Sequence, residues 1–112
     1  MTWSSFEPGW SVGKPRPVSW KLEGFLDRFD AWAERENIDA DLRFVVMEWV
    51  LSRADDPFGG GVRREPGFDN LWFGQIPDSQ DGKGHVVVCS YWVHVAECIV
   101  RCDNFGLLSW PV

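Results

Sequence analysis

The stretch His85-Val86-Val87-Val88-Cys89-Ser90-Tyr91-Trp92-Val93-His94-Val95-Ala96-Glu97-Cys98-Ile99-Val100-Arg101-Cys102-Asp103 decides the fold. It reads as a long strand, His85 to Val95, and a second, Glu97 to Asp103, joined by a tight turn near Val95-Ala96. Pairing Val93 with Cys98 sets Tyr91 opposite Val100 and Cys89 opposite Cys102. One face then collects Val87, Cys89, Tyr91 and Val93 with Cys98, Val100 and Cys102, all suited to burial. The other face receives Val88, Ser90, Trp92 and His94 beside Glu97, Ile99, Arg101 and Asp103. A sheet with one apolar and one mixed face is covered on the first and open on the second.

Upstream, Asn70 to Ile76 is a strand ended by Pro77, and Asp78 to Gly84 is a polar loop. Residues 62–112 therefore read as an antiparallel meander. Before it, Asp55-Asp56-Pro57 and Gly59-Gly60-Gly61 break the chain. The adjacent Arg63 and Arg64 either clamp a phosphate or carboxylate or bond the acidic helix end at Asp55 and Asp56.

Residues 19–56 read as a helical pair. Ser19 is a good N-cap, and Leu22, Phe25, Leu26, Phe29, Trp32 and Ala33 share one face of a helix. Asn37 suits its end and Asp39 the cap of a second helix, about 40–53. There Leu42, Val45, Val46, Trp49 and Val50 form one side, and Phe44, Met47 and Leu51 widen the apolar arc. So wide an arc predicts a helix sandwiched between the first helix and the sheet.

Residues 1–18 are irregular, broken by Pro8, Gly9, Gly13, Pro15 and Pro17, with a short strand allowed at Thr2 to Phe6. Eight tryptophans extend through the chain, with Trp3, Trp10 and Trp110 in the terminal segments. Tryptophan buries a large surface, so this spread predicts that the termini join one aromatic core. The expected fold is α+β in a single domain, residues 1–112. Two N-terminal helices pack on one face of a three- to four-stranded antiparallel sheet.

The net charge of −6 works against binding a phosphate backbone, so nucleic acid is not expected. Ten acids and five bases in residues 19–56 make the helical half the more acidic, which favours a basic protein partner or simply solubility. No apolar run reaches the length of a membrane span, and Met1 to Ser5 lacks the pattern of a signal peptide, so a cytoplasmic protein is expected. Cys89, Cys98 and Cys102 are an odd number in strand-like sequence with only two histidines in the chain, which reads as buried free thiols rather than a metal site. No phosphate-loop, dinucleotide, zinc-protease or nucleophile-elbow pattern occurs, so neither cofactor nor metal is expected.

The order of helices and strands is similar to that of the RelE/ParE toxin superfamily. The resemblance is carried by Leu51 to Pro57 (LSRADDP) at the second helix end, and by His85 to Val93 followed by Cys98 to Phe105 as two long C-terminal strands. It covers about half the chain. It implies a bacterial toxin–antitoxin protein, acting on mRNA at the ribosome or on DNA gyrase and paired with an antitoxin. The chain departs from it in charge, and Phe105-Gly106-Leu107-Leu108 lacks an acid–base residue.

Two readings follow. The first is a non-catalytic protein-binding domain that uses Trp92, Ile99, Arg101, Ser90, Arg63 and Arg64, with an acidic immunity- or antitoxin-type neutraliser of a basic partner as a variant. The second is a RelE-like ribonuclease, with His94 as base and Arg101, Arg63 and Arg64 on the phosphate. The charge favours binding.

Overall fold

The computed structural model describes residues 19–109. The expectations for Trp3, Phe6, Trp10 and Trp110, and the short strand at Thr2 to Phe6, lie outside these residues. In chain order the elements are β1 (Lys21–Glu23), α1 (Phe25–Arg35), α2 (Ala40–Ser52), β2 (Arg63–Arg64), β3 (Leu71–Gln80), β4 (His85–His94) and β5 (Ile99–Ser109). The sheet order is β1-β5-β4-β3-β2. The fold is α+β as expected, but the sheet has five strands and is mixed, because β1 runs parallel to β5 with Leu22 opposite Val100.

That extra strand corrects the start of the first helix. Lys21 to Glu23 pair with Ile99 to Arg101 instead of forming a first helical turn from Ser19. Gly24, at φ 76°, then turns the chain into α1, a backbone conformation that a side chain disfavours. From Phe25 onward the periodicity holds, since Phe25, Phe29, Trp32 and Ala33 are buried. Asn37 takes the left-handed conformation after α1, and the Asp39 side chain accepts from the Leu42 N–H at 2.9 Å, capping α2.

Both helices cover the same face of the sheet. Tyr91 in β4 meets Phe25 of α1 and Trp49 of α2, at ring-centroid distances of 6.4 Å and 5.9 Å. Phe105 is the second hub, with Phe29 at 5.5 Å and Trp32 at 5.6 Å. α2 is not sandwiched. It lies on the sheet with Leu42, Val46, Trp49 and Val50 inward, while Phe44 and Leu51 stay exposed.

The hairpin keeps its predicted faces but not its register. Val93 pairs with Val100 and Tyr91 with Cys102, a shift of two residues from the expected partners. The turn is longer than expected: Val95–Glu97 form one turn of 3-10 helix, and Cys98 follows at φ 56°. A shift of two preserves side-chain parity, so Val87, Cys89, Tyr91 and Val93 remain buried with Val100 and Cys102. Only Cys98 leaves the core face, for the turn. A bulge between Ser90 and Tyr91 inserts one extra residue opposite them on β5, so Phe105 points inward opposite Cys89, and β5 runs on to Ser109.

β3 does not stop at Pro77. It continues to Gln80 through an irregularity between the Gln75–Val88 and Gln80–Val86 pairs, where Pro77 and Asp78, at φ 61°, sit. Proline cannot donate to a ladder and belongs at such a break. The buried Ser79 hydroxyl repairs it, accepting from the Val87 N–H at 3.0 Å and donating to the Ile76 carbonyl at 2.6 Å.

Candidate functional site

With the helices on one face, the other face of the sheet is open, and the register arranges its side chains in rows. Leu71, Trp92, Arg101 and Glu23 form one row across β3, β4, β5 and β1. A second contains Arg63, Phe73, Ser90 and Asn104 across β2 to β5. Gln75, Val88 and Gly106 make a third, and His94, Ile99 and Lys21 a fourth. Five of the six predicted binding residues, Trp92, Ile99, Arg101, Ser90 and Arg63, therefore share this face. Arg64 does not: it pairs opposite Trp72, so its parity turns it from the open face at the sheet edge.

Several of these side chains are already held by neighbours. Arg101 donates through Nε at 3.1 Å and Nη2 at 2.8 Å to one carboxylate oxygen of Glu23. The hydrogen bond from Arg101, with its positive charge, holds the Glu23 carboxyl below its usual value against the opposing effect of burial. Ser90 donates to Asp103 Oδ2 at 2.7 Å, Phe68 meets Trp92 edge-on at 5.8 Å, and the Arg63 guanidinium lies 5.8 Å from the Phe73 ring centre. Beside Phe73, Gln75 and Val88 is a depression of about 340 Å³, with Arg63 and Leu108 at its rim. It continues past Ser90 and Asn104 to Gly106, whose lack of a side chain opposite Val88 keeps the surface low.

The four residues considered for RNA chemistry do not converge. His94 lies four residues along β4 from Ser90, in the row that Arg63 joins two strands away. At ordinary strand dimensions their backbones are roughly 16 Å apart. Arg101 is nearer to His94 but bound to Glu23, and Arg64 faces elsewhere. General base catalysis needs a base and a phosphate-binding cation around one reacting group. Nor do Arg63 and Arg64 make an ion pair with Asp55 or Asp56 among the described residues. The bonds in that region come from Arg53 Nη1 to the Gly59 carbonyl at 2.8 Å and from the Phe58 N–H to Asp56 Oδ1 at 3.0 Å.

Three features were missed from sequence. Arg53, only 4% exposed, serves the core rather than the surface. Phe68 reaches Trp92 from the loop after β2, a contact that no periodicity marks. Asp81 and His85 pair at 3.0 Å across the β3–β4 turn, and the signal available was only their i, i+4 spacing around Gly82 and Gly84. No group of three or more His, Cys, Asp or Glu among the described residues is placed to hold a metal ion.

A two-layer α+β domain with two helices on one face of a β1-β5-β4-β3-β2 sheet defines the class structurally. No protein-family model matches the chain, and no curated protein matches it. A double arginine-to-alanine mutant of the E. coli toxin RelE in its free state is similar in structure, with a TM-score of 0.56 and 11% sequence identity, covering 79% of this chain and 82% of that one. The likeness is one of fold: the chain has a RelE-like architecture.

Proposed function

We propose that this RelE-like fold serves here as a non-catalytic protein-binding domain of a toxin–antitoxin type, acting in the cytoplasm, with the open sheet face as its contact surface. The observation that carries the reading is the convergence of Trp92, Phe73, Arg101 and Arg63 on one face whose reverse is buried under two helices. Aromatic and arginine side chains supply most hot-spot energy at protein interfaces. The net charge of −6 favours a protein partner, particularly a basic one, over nucleic acid. The three unbridged cysteines accord with a reducing compartment.

The test is partner capture from the native host with the parent chain, Trp92→Ala and Arg63→Ala, each checked for cooperative melting. One co-purifying protein should be recovered with the parent and strongly depleted with both variants. Equal recovery by all three chains rules out this face. RNA cleavage by the purified parent that disappears in folded His94→Ala replaces the binding reading with the ribonuclease one.

A further inference from the structure

The outer edge of β5 is longer than the strand that covers it. β1 pairs only with Ile99 to Arg101, whereas β5 runs on to Ser109. Among the described residues no strand lies beside Phe105 to Ser109 on that side. Arg28 closes the edge at Asp103 by donating to its carbonyl at 3.0 Å. The direction of the remaining backbone follows from the ladder. The Val93 N–H donates to the Asn70 carbonyl at 2.8 Å and the Val87 N–H to the Ser79 hydroxyl at 3.0 Å, so alternate residues of β4 from Val87 to Val93 address β3. Val86, Val88 and Ser90 therefore address β5, where they pair with Leu108, Gly106 and Asn104. Phe105, Leu107 and Ser109 are left with N–H and carbonyl groups pointing away from β4, a template for a further strand.

This edge carries none of the features that keep two such edges apart. Asn104-Phe105-Gly106-Leu107-Leu108-Ser109 contains no charge and no proline. It is also complementary to itself. Laid antiparallel on a second copy about a two-fold axis at Leu107, Phe105 meets the partner's Ser109, Leu107 meets the partner's Leu107, and Ser109 meets the partner's Phe105. All three are pairs of the hydrogen-bonding kind and together make about six main-chain bonds. Between them Gly106 faces the partner's Leu108, in the kind of pair whose side chains approach most closely. Leu108 is 46% exposed at the rim of the open face, and Gly106 leaves that face low beside it, so knob and hollow match in both directions. The helices leave room. α1 rests on Phe105 through Phe29 and Trp32, and the two copies of Phe105 lie four residues apart along the seam, roughly 14 Å, more than the diameter of a helix.

We propose that β5 pairs antiparallel with β5 of a second copy of this chain, joining two five-stranded sheets into one, with the partner's Leu108 seated over Gly106. The contact is isologous, so each half is made twice. It also alters the open face: the hollow along Val88, Asn104 and Gly106 gains the partner's Leu108 as a wall, and two copies present one continuous surface. So short a seam belongs with small interfaces, and its dissociation constant should be of order 10 µM.

The test is sedimentation velocity of the full chain over a concentration series, together with amide hydrogen exchange of the parent at the two ends of that series. The parent should pass from monomer to dimer. The Phe105, Leu107 and Ser109 amides should exchange more slowly as concentration rises, while those of Asn104, Gly106 and Leu108, bonded to β4, stay protected throughout. Two variants disturb the seam and spare the monomer. A Cβ on Gly106 would meet only Val88 Cγ2, at an ordinary 3.6 Å, so Gly106→Val fills the hollow without straining its own fold. Ser109→Pro removes an outward N–H that the β4–β5 ladder does not use. Each should weaken self-association by about tenfold or more and keep the parent's urea midpoint at concentrations where all are monomeric. A parent that stays monomeric overturns the proposal, including one whose Phe105, Leu107 and Ser109 amides are protected at every concentration, which assigns the edge to the chain's own residues. A dimer without the alternating exchange pattern, or one that folded Gly106→Val and Ser109→Pro leave intact, overturns it as well and places self-association on another surface.

Discussion

Tyr91 donates its hydroxyl hydrogen to the backbone carbonyl of Pro57, joining the centre of the sheet to the loop that follows α2. Arg53 Nη1 donates to the same hydroxyl at 3.4 Å and to the Gly59 carbonyl at 2.8 Å, so loop, helix end and sheet meet at one buried point. Burial pushes the Tyr91 phenol above its ordinary range, although Arg53 opposes this, and the group stays a donor at neutral pH. Removing the hydroxyl leaves the Pro57 carbonyl without that donor. Tyr91→Phe should therefore cost about 1–3 kcal/mol in urea unfolding, with faster hydrogen exchange in the loop after α2. A loss below a few tenths would show that this bond does not fasten the loop.

Trp49 stands beside Tyr91 and beneath Arg53, whose guanidinium carbon lies 4.4 Å from the indole centre. Trp49→Ala removes a buried aromatic and uncovers a buried cation, and should cost about 3–5 kcal/mol. Among the described residues the Trp49 indole N–H meets no hydrogen-bond acceptor, so Trp49→Phe forfeits packing but none of the bonds described. Thermal melting should then place Trp49→Phe much nearer the parent than Trp49→Ala. Equal losses would assign the energy to the indole nitrogen rather than to ring packing.

How much of this was legible in the sequence follows from parity and length. Side-chain alternation placed Tyr91, Cys89 and Val93 inside and Trp92 outside, and a two-residue error in register left those assignments intact. Turn length was not legible: nothing in Val95-Ala96-Glu97 announces a 3-10 turn. Nor was β1, because Lys21-Leu22-Glu23 is too short to carry a period and forms a strand only where β5 offers an edge. Continuous helical periodicity through Leu22 hid the break at Gly24. The open face was legible as a set of residues, but its internal ties were not. The Arg101–Glu23 pair joins positions 78 apart, through the parallel strand that the sequence concealed.

The cysteines now divide in reactivity. Cys89 and Cys102 are buried, and burial, reinforced by the neighbouring Cys102 thiol, pushes Cys89 well above the usual thiol range. Cys98 is half-buried in the turn. Thiol titration of native protein near pH 8 should find one reactive group, abolished by Cys98→Ser, and three after denaturation. Rapid reaction of all three in the native state would place the β4–β5 core face in contact with solvent.

Asp81 closes the β3–β4 turn by accepting three contacts. Oδ1 takes the N–H groups of Lys83 at 2.7 Å and His85 at 3.0 Å, and Oδ2 lies 3.0 Å from His85 Nδ1. Burial raises its pKa, but the two backbone donors and the ring outweigh that, leaving the carboxyl below its ordinary value. A carboxylate depressed in the folded state binds its proton more tightly after unfolding. Its stabilising contribution is therefore complete above the ordinary carboxylate pKa of about 4 and is lost as pH falls through the lower folded value. Asp81→Asn keeps an acceptor oxygen but removes the charge, so it should be less stable than the parent at pH 7. The gap should narrow as the parent is acidified below about pH 4, since only the parent has this contribution to lose. Urea midpoints measured from pH 7 down to pH 3 give the comparison, and a gap constant over that whole range would mean that the turn is closed by hydrogen-bond geometry alone.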